Sequence, residues 1–337
     1  MSARLSIVPV FVPHWGCQHA CVFCDQRRIT GEREPATART VEQAMQQAAA
    51  LPSGAKRQLA FYGGSFTAIP PAQQEELLAA AQPYLGRGEL SSLRLSTRPD
   101  AIDRAVLDRL RRYGVETIEL GAQSMDERVL ALAGRGHTAA DVERASRLIR
   151  EAGFELILQM MTGLPGSSDE SDIETARRLI ALHPDGVRIY PTVIVEGTAL
   201  CEQWRAGLYR EHTVEDAVRV CARILPLFEE AGIPVIRLGL NPTEELSGGA
   251  AVGGAYHPAL GELVRSRILR DRAEALLAGT EPGSRVILGV NTRELSQMIG
   301  QHRSNLAWLK ERFALTSIAV RPADVKIGEI CRIFLEK

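Results

Sequence analysis

The chain has 337 residues, 45% hydrophobic and 24% charged, enough apolar content to bury the core of one large domain with a small appendage. No stretch reaches the roughly 18 apolar residues a membrane span requires, and the run from Leu5 to Val12 is broken by Pro9 and lacks a basic leader or small-residue cleavage site, so no membrane partner and a cytoplasmic address are expected. The formal net charge of −1 gives the whole molecule no general attraction for polyanions, although residues 281–337 carry 9 Lys+Arg against 6 Asp+Glu.

In chain order, β-rich segments alternate with amphipathic helical ones up to about residue 240, the pattern of a parallel sheet wrapped by helices. Strands are predicted over 6–12, 58–62, 93–96, 117–120, 155–160, 187–190 and 235–238, and helices over 40–51, 73–85, 101–113, 139–152, 171–182 and 214–231. Gly114, Gly153 and Gly232 each stand just past a last helical turn. Six or seven β/α units in one linear order favour a partial β/α barrel of the TIM type over a doubly wound sheet, which nothing local excludes. In such barrels the active residues follow the strands. Here the segments after the strands are Pro13-His14-Trp15-Gly16-Cys17, Gly63-Gly64-Ser65, Thr97-Arg98-Pro99-Asp100, Gly121-Ala122-Gln123-Ser124, Thr162-Gly163-Leu164-Pro165-Gly166 and Pro191-Thr192, all small, polar or turn-forming.

From about Ala273 the rhythm stops, and Gly279, Pro282 and Gly283 mark a linker. The expected division is a barrel over 1–272 and a small α+β unit over 281–337. That unit reads as a strand over 285–290, a helix over 293–299, a tight Gly300-Gln301-His302-Arg303 turn, a helix over 304–313, and strands over 316–320 and 329–335.

Six cysteines are too few for a disulfide framework; three fall within eight residues, whereas Cys201, Cys221 and Cys331 stand alone. Cys17-x3-Cys21-x2-Cys24 places three thiolates in the loop after the first strand, and three thiolates on a [4Fe-4S] cube leave one iron free to bind a ligand. The competing reading is structural zinc. Zinc wants four ligands, the nearest supplements are His14 and His19, and no second dyad follows.

This spacing, with Phe23 just before the last cysteine, resembles the defining motif of the radical S-adenosylmethionine (SAM) superfamily. The resemblance implies a partial β/α barrel of the radical SAM type in which Cys17, Cys21 and Cys24 hold a [4Fe-4S] cluster. The open iron would bind SAM, and an electron from a low-potential donor such as flavodoxin or ferredoxin would release a 5′-deoxyadenosyl radical. It also implies cofactor contacts: Phe23 near the adenine, Gly63, Gly64 and Ser65 at the methionine amine, and Ser96 and Arg98 at the ribose or carboxylate. Gln123 and, on the fifth β/α unit, Gln159 and Leu164 complete the set. Ser65 stands where that family often has a carboxylate.

Pro13-His14-x-Gly16-Cys17 through Gln26-x-x-Ile29-Thr30-Gly31 and Tyr62-Gly63-Gly64-Ser65-Phe66-Thr67 carry a narrower likeness. Gly197-Thr198, Trp204, Gly207-x-Tyr209, Arg237-x-Gly239-Leu240 and Tyr256-His257-Pro258 continue it. Together they resemble the radical SAM domain of the Elongator catalytic-subunit family over about residues 5–270. That family spaces its cysteines more widely and adds an acetyltransferase domain, for which this sequence has no room. The resemblance is therefore to a shorter bacterial relative, and carboxymethyl chemistry is not carried over. Tyr256 and His257 are candidate substrate-lining residues, although His257-Pro258 also suits a helix start.

The order of elements in residues 281–337 resembles a KH fold, in which a Gly-x-x-Gly loop between two helices clamps RNA phosphates. Gly300, Gln301, His302 and Arg303 occupy that loop, with arginine where the second glycine belongs. A structural cap or dimerisation module is the alternative. The expected function is a radical SAM enzyme acting on RNA, with tRNA as the leading class. A small-molecule or tetrapyrrole enzyme like the coproporphyrinogen oxidases is the rival. A non-catalytic iron–sulfur protein is a third reading, opposed by the presence of Gly63-Gly64 and the polar SAM-facing set.

Overall fold

The computed structural model describes residues 5–12, 17, 20–25, 34–50, 56–241, 243 and 246–333. His14, Trp15, Gly16, His19 and the 26–31 motif lie outside the described residues. Strands follow in chain order as β1 (Leu5–Phe11), β2 (Lys56–Tyr62), β3 (Ser92–Thr97), β4 (Val115–Gln123), β5 (Glu155–Thr162), β6 (Gly186–Pro191), β7 (Val193–Val195), β8 (Val235–Leu238), β9 (Ala251–Gly254), β10 (Arg285–Val290), β11 (Ser317–Pro322) and β12 (Ile330–Arg332). The helices are α1 (Ala38–Ala49), α2 (Pro71–Gly86), α3 (Arg104–Arg112), α4 (Glu127–Leu132), α5 (Ala139–Glu151), α6 (Asp169–Ile180), α7 (Ala199–Arg205), α8 (Val214–Glu230), α9 (Leu260–Leu277), α10 (Leu295–Ile299) and α11 (Ser304–Arg312). Among the described residues no helix is long and apolar enough to cross a membrane.

Seven strands make one all-parallel sheet in the order β1-β2-β3-β4-β5-β6-β8, curled into the partial barrel expected from the β/α rhythm. Period-two alternation sorts its faces. Leu59 and Phe61, Leu93 and Leu95, Ile118 and Leu120, Leu156 and Leu158, and Val187 and Ile189 are buried on the helix-covered side. Most of the positions on the other face, among them Gln58, Arg94, Glu119, Gln159 and Arg188, are polar and bond to one another inside the half barrel, with Ala60 and Ile157 among the apolar exceptions. Gln58 Nε2, for example, donates to Ser92 Oγ at 2.9 Å and Thr117 Oγ1 at 3.1 Å.

Local capping sets where the helices begin. Asp103, Asp126, Thr138, Ser168 and Thr198 each accept a backbone N–H from the first turn of α3, α4, α5, α6 and α7. α3 starts at Arg104 instead of the expected 101, because Pro99–Ala101 forms a separate 3-10 turn and Asp103 takes the N-cap. The antiparallel pair β7–β9 and the helices α4, α7 and α9 were not expected from the sequence pattern.

By packing, the chain divides into one unit of Met1–Thr213 with Leu227–Tyr256 and a second of Val214–Pro226 with His257–Lys337. The division falls ahead of the Gly279–Gly283 linker because α9 belongs to the second core. Leu269, Ala273 and Leu277 pack there with Val286, Leu288, Val290, Met298, Leu309 and Leu315. The second unit's sheet runs β11-β10-β12, with β10 parallel to β11 and antiparallel to β12. Its strand, helix, turn, helix, strand, strand order is the one read from the sequence. The expected final strand extends past 333 into residues outside the described set.

Candidate active site

Cys17 is exposed and Cys21 and Cys24 are half-buried, in contrast to the fully buried Cys201 and Cys221. The Cys24 amide donates to the Cys21 carbonyl at 3.1 Å, which bends the loop so that its thiols leave one short segment. Two further backbone bonds fix that segment. Val22 N donates to Ala133 O just past α4 at 3.1 Å, and Leu200 N in α7 donates to Val22 O at 2.8 Å. Gly134 makes the first approach possible, since a Cβ there would stand 3.0 Å from Ala20 O and its φ is +66°. Phe23 packs against Leu164, Met161 and Val129 on one side and Leu200 and Tyr209 on another.

Around the thiols the structure gathers residues from three strand ends. Cys17 Sγ lies 3.8 Å from Ser65 Oγ, after β2 and the turn at Gly63, whose φ is +94°. Arg135, after α4, donates from one guanidinium nitrogen to Cys21 Sγ at 3.2 Å and from another to Gly121 O of β4 at 2.8 Å. Arg98 donates to Asp100 at 2.5 Å and to Arg135 O at 2.6 Å, so its guanidinium holds the Arg135 segment in place. Ser96 is half-buried, its Oγ 3.5 Å from Phe61 O. Gln123 is half-buried at a β4–β5 bulge with φ +63°, a conformation that non-glycine residues rarely take. His137, buried, bonds Ala122 O just before it at 3.1 Å. Burial, reinforced by the Arg135 charge, lowers the His137 pKa to about 4, so the neutral ring carries its hydrogen on Nε2 toward that carbonyl.

Gln159 sits in the lumen, where its Nε2 donates to Glu119 Oε2 at 2.9 Å. Glu119 also accepts from Tyr62 at 2.7 Å, Arg94 at 2.9 Å and Arg188 at 3.0 Å. Burial pushes its carboxyl up, but Arg188, the Tyr62 hydroxyl and Arg94 together outweigh that and hold it below the usual carboxylate range. Burial, with the Glu119 charge beside it, raises the Tyr62 phenol.

The loop after β5 is covered from the 209–212 segment. A Cβ on Gly163 would fall 2.1 Å from the His212 ring, Thr162 Oγ1 lies 3.2 Å from His212 Nε2, and Tyr209 donates to Gly163 O at 2.6 Å. Behind it, buried Asp172 accepts the Gly163 N–H at 2.9 Å. Burial raises the Asp172 carboxyl to about 7, with the nearby Asp169 charge adding to the effect and the Gly163 amide opposing it. A raised folded-state value means this carboxyl contributes stability below its ordinary pKa of about 4, and that contribution is lost as pH rises through the folded value. Asp172→Asn should therefore lack that loss and gain stability relative to wild type between pH 5 and pH 8. Parallel urea titrations at the two pH values check it, and an unchanged difference between the proteins would refute it.

Apart from Gly63 and Gly64 after β2 and Ser96 and Gln123 at the ends of β3 and β4, the sequence-predicted residues fall into three groups. Cys17, Cys21, Cys24, Phe23, Ser65, Arg98 and Leu164 meet at the thiol loop through the contacts given above. Gln159 lies in the lumen. Tyr256 packs beside Val193, Val195 and Leu246 in the first unit, while His257 belongs to the second, where its Nδ1 accepts the Ala259 N–H at 3.1 Å as a helix-start residue would. Gly300–Arg303 also lie in the second unit. Arg135, His137, Glu119, Asp172 and His212 were not read from the sequence. The signal for Arg135 and His137 was the pair Gly134 and Gly136 around them, both left-handed with φ of +66° and +71°.

Among the described residues no three His, Cys, Asp or Glu side chains are arranged to hold a single metal ion. The fit to a cluster rests on donor chemistry: three accessible thiols on one pinned loop, with a guanidinium already bonded to one sulfur.

Fold and loop define a partial β/α barrel that carries three free thiols on the loop after its first strand. Residues 12–179 match the radical SAM superfamily model and residues 184–270 the Radical_SAM C-terminal domain. The chain belongs to the radical SAM superfamily and is a radical SAM enzyme. It is 40% identical over 118 residues to a tRNA uridine(34) acetyltransferase of Dehalococcoides mccartyi, covering 34% of this chain and 26% of that protein. It is 37% identical over 136 residues to Elongator complex protein 3 of Homo sapiens, covering 40% and 25%. The match spans about a quarter of the length of these curated relatives. Among solved structures, the Methanocaldococcus infernus Elp3 lacking residues 1–46 superposes with a TM-score of 0.63 at 23% identity, covering 80% of this chain and 64% of that one. Coproporphyrinogen III oxidase from Escherichia coli superposes with a TM-score of 0.51 at 20% identity, covering 68% and 53%. These two likenesses speak to the fold.

Proposed function

We propose that the chain cleaves SAM at a [4Fe-4S] cluster held by Cys17, Cys21 and Cys24 and directs the resulting radical to RNA, with tRNA the favoured class. The observation that carries the reading is the convergence on the thiol loop of Ser65, after β2, and of Arg135, after α4, whose segment is braced by Arg98 from the end of β3. When bound, the cluster supplies the electron that breaks a sulfonium C–S bond, drawn from a donor such as flavodoxin or ferredoxin. The chain's own residues position SAM. Gly63 and Gly64 let backbone approach the methionine amine, Arg135 offers its guanidinium to the carboxylate, and Phe23 and Leu164 shelter the adenine. Gln123, aimed by its bulge, and Ser96 reach the ribose. His212 and Tyr209 cover the Gly163 loop and exclude water there.

The relatives' names include tRNA uridine(34) acetyltransferase, and the basic 281–337 region with its exposed Gln301, His302 and Arg303 supports nucleic acid as the substrate class. Residues 281–337 would dock the RNA and the barrel would do the chemistry. Dithionite and SAM should yield 5′-deoxyadenosine from anaerobically prepared protein even without RNA. Nucleosides from a strain lacking the gene should be missing one modified species by mass spectrometry. SAM cleavage with an unchanged nucleoside profile would move the substrate to a small molecule.

A further inference from the structure

The second unit carries a pocket of about 230 Å³ beside the Gly300–Arg303 loop, lined by Glu262, Leu263 and Ser266 of α9, Ser296 and Gln297 of α10, and the first two loop residues. Its size falls below the roughly 300–1,000 Å³ of drug-sized sites and suits one planar ring system. The frame is rigid. Buried Asn305 donates from Nδ2 to Ser266 O and Oγ, both at 2.9 Å, and to Gln297 O at 3.1 Å, and Ser266 Oγ donates to Gln297 O at 2.8 Å. Gly300 is required where it stands, since its φ is +76° and a Cβ would meet Ser304 Oγ at 2.7 Å.

What faces the pocket is acceptor-rich. Gln297 Nε2 donates to Glu262 Oε2 at 2.8 Å, which fixes the carboxylate and turns one amide hydrogen away from any ligand. The other carboxylate oxygen and the side-chain Oε1 of Gln297 accept no hydrogen bond among the described residues, the backbone carbonyl of Gln297 being taken by Asn305 and Ser266. An ionised carboxylate can only accept. Directly after the last pocket residue, exposed His302 and Arg303 take left-handed conformations with φ of +50° and +63°, so the chain turns sharply and carries an exposed cation two residues past Gln301.

We propose that this pocket takes a guanine base of single-stranded RNA whose adjoining phosphate lies on the His302–Arg303 turn. The inference rests on the reading that the second unit docks RNA. Guanine alone among the four bases presents two adjacent donors, N1–H and the N2 amino group, on its Watson–Crick edge, a match for a carboxylate acting bidentately. Adenine and cytosine set a ring-nitrogen acceptor beside their amino group, and uracil flanks its single N–H with carbonyls. Each would point an acceptor at Glu262. Single-stranded RNA exposes these edges, and phosphate contacts hold the strand without reading sequence.

Fluorescence anisotropy of the full chain with an unstructured RNA octamer containing one guanosine, and with the same octamer carrying inosine or adenosine there, tests it. Wild type should bind the guanosine octamer roughly tenfold tighter than either. Glu262→Gln, which replaces one acceptor by a donor and so complements adenine's donor–acceptor edge, should erase that preference by raising affinity for the adenosine octamer and lowering it for guanosine, while leaving substrate-free SAM cleavage unchanged. Arg303→Glu should weaken all three octamers together and flatten their salt dependence. Arg303-sensitive binding without a guanosine preference, or a preference that survives Glu262→Gln, would overturn the pocket and leave RNA docking standing. Binding indifferent to Arg303→Glu would remove both. Displacement by GMP at the concentration at which the octamer binds would assign the pocket to a free nucleotide and also overturn the proposal.

Discussion

Cys17→Ala, Cys21→Ala and Cys24→Ala should each give a protein that reconstitutes colourless, while wild type is brown and takes up about four irons per chain, because two thiolates do not hold the cube. Each variant should lose 5′-deoxyadenosine formation with the colour. Cys201→Ala, Cys221→Ala and Cys331→Ala should keep both, since Cys201 and Cys221 lie in the core and Cys331 on the second unit's sheet. Truncating the two core cysteines leaves small voids, and a modest fall in melting temperature with full iron content is the expected signature. Iron and sulfide analysis beside the visible spectrum decides the matter. Wild type colourless with one tightly held zinc would refute the cluster, as would full iron content in any of the first three variants.

Glu119→Ala should be the most destabilising substitution outside the thiol loop. It leaves Arg94 and Arg188, only 5% and 13% exposed in their side chains, without the carboxylate they share, and breaking such a buried arrangement costs about 3–5 kcal/mol. The pH dependence has a fixed sign. A carboxyl held below its ordinary value contributes stability above that value and loses it as pH falls through the folded one. Wild type should therefore weaken in acid below the usual carboxylate range, and the variant should lack that share of the slope. Urea denaturation at pH 7 and pH 4 measures both. A loss under 1 kcal/mol at pH 7 would mean that water already reaches the arginines. The concerted replacement of Arg94, Glu119 and Arg188 by apolar residues of similar volume should recover stability, since a buried ionic network need not surpass good apolar packing. Gln159 and Tyr62 would then lose their partner and the lumen its polar floor.

The strands were readable because their apolar residues alternate under helices and stop at polar or glycine-rich ends. β8 was placed to the residue, and β5 differs only in running on to Thr162. The thiol loop was legible because three cysteines in eight residues have few chemical uses. Arg135 was not, being one of 40 Lys and Arg. Its importance depends on Gly134 and Gly136 folding it back onto β4, a long-range event that leaves no period in the sequence. The β7–β9 ribbon was hidden for a related reason, its strands being three and four residues long and separated by two helices and a barrel strand. α9 stands outside the β/α rhythm because its buried residues serve the second core and no barrel strand follows it. Arg98 was legible as a residue type but its use was not: the strand-end position suggested a ligand contact, and the fold turns the side chain onto Asp100 and Arg135.

The bonds from Val22 to Ala133 and Leu200 set a timetable for synthesis. The cysteines leave the ribosome early, but the residues that brace their loop follow well over a hundred positions later. At roughly 5–20 residues per second, Leu200 arrives on the order of ten seconds or more after Cys24. During that interval the thiols are on a tether without a scaffold, open to oxidation and to stray metal. Iron delivery is therefore best matched to a chain already synthesised past Leu200, and expression under oxygen should do its damage before that point.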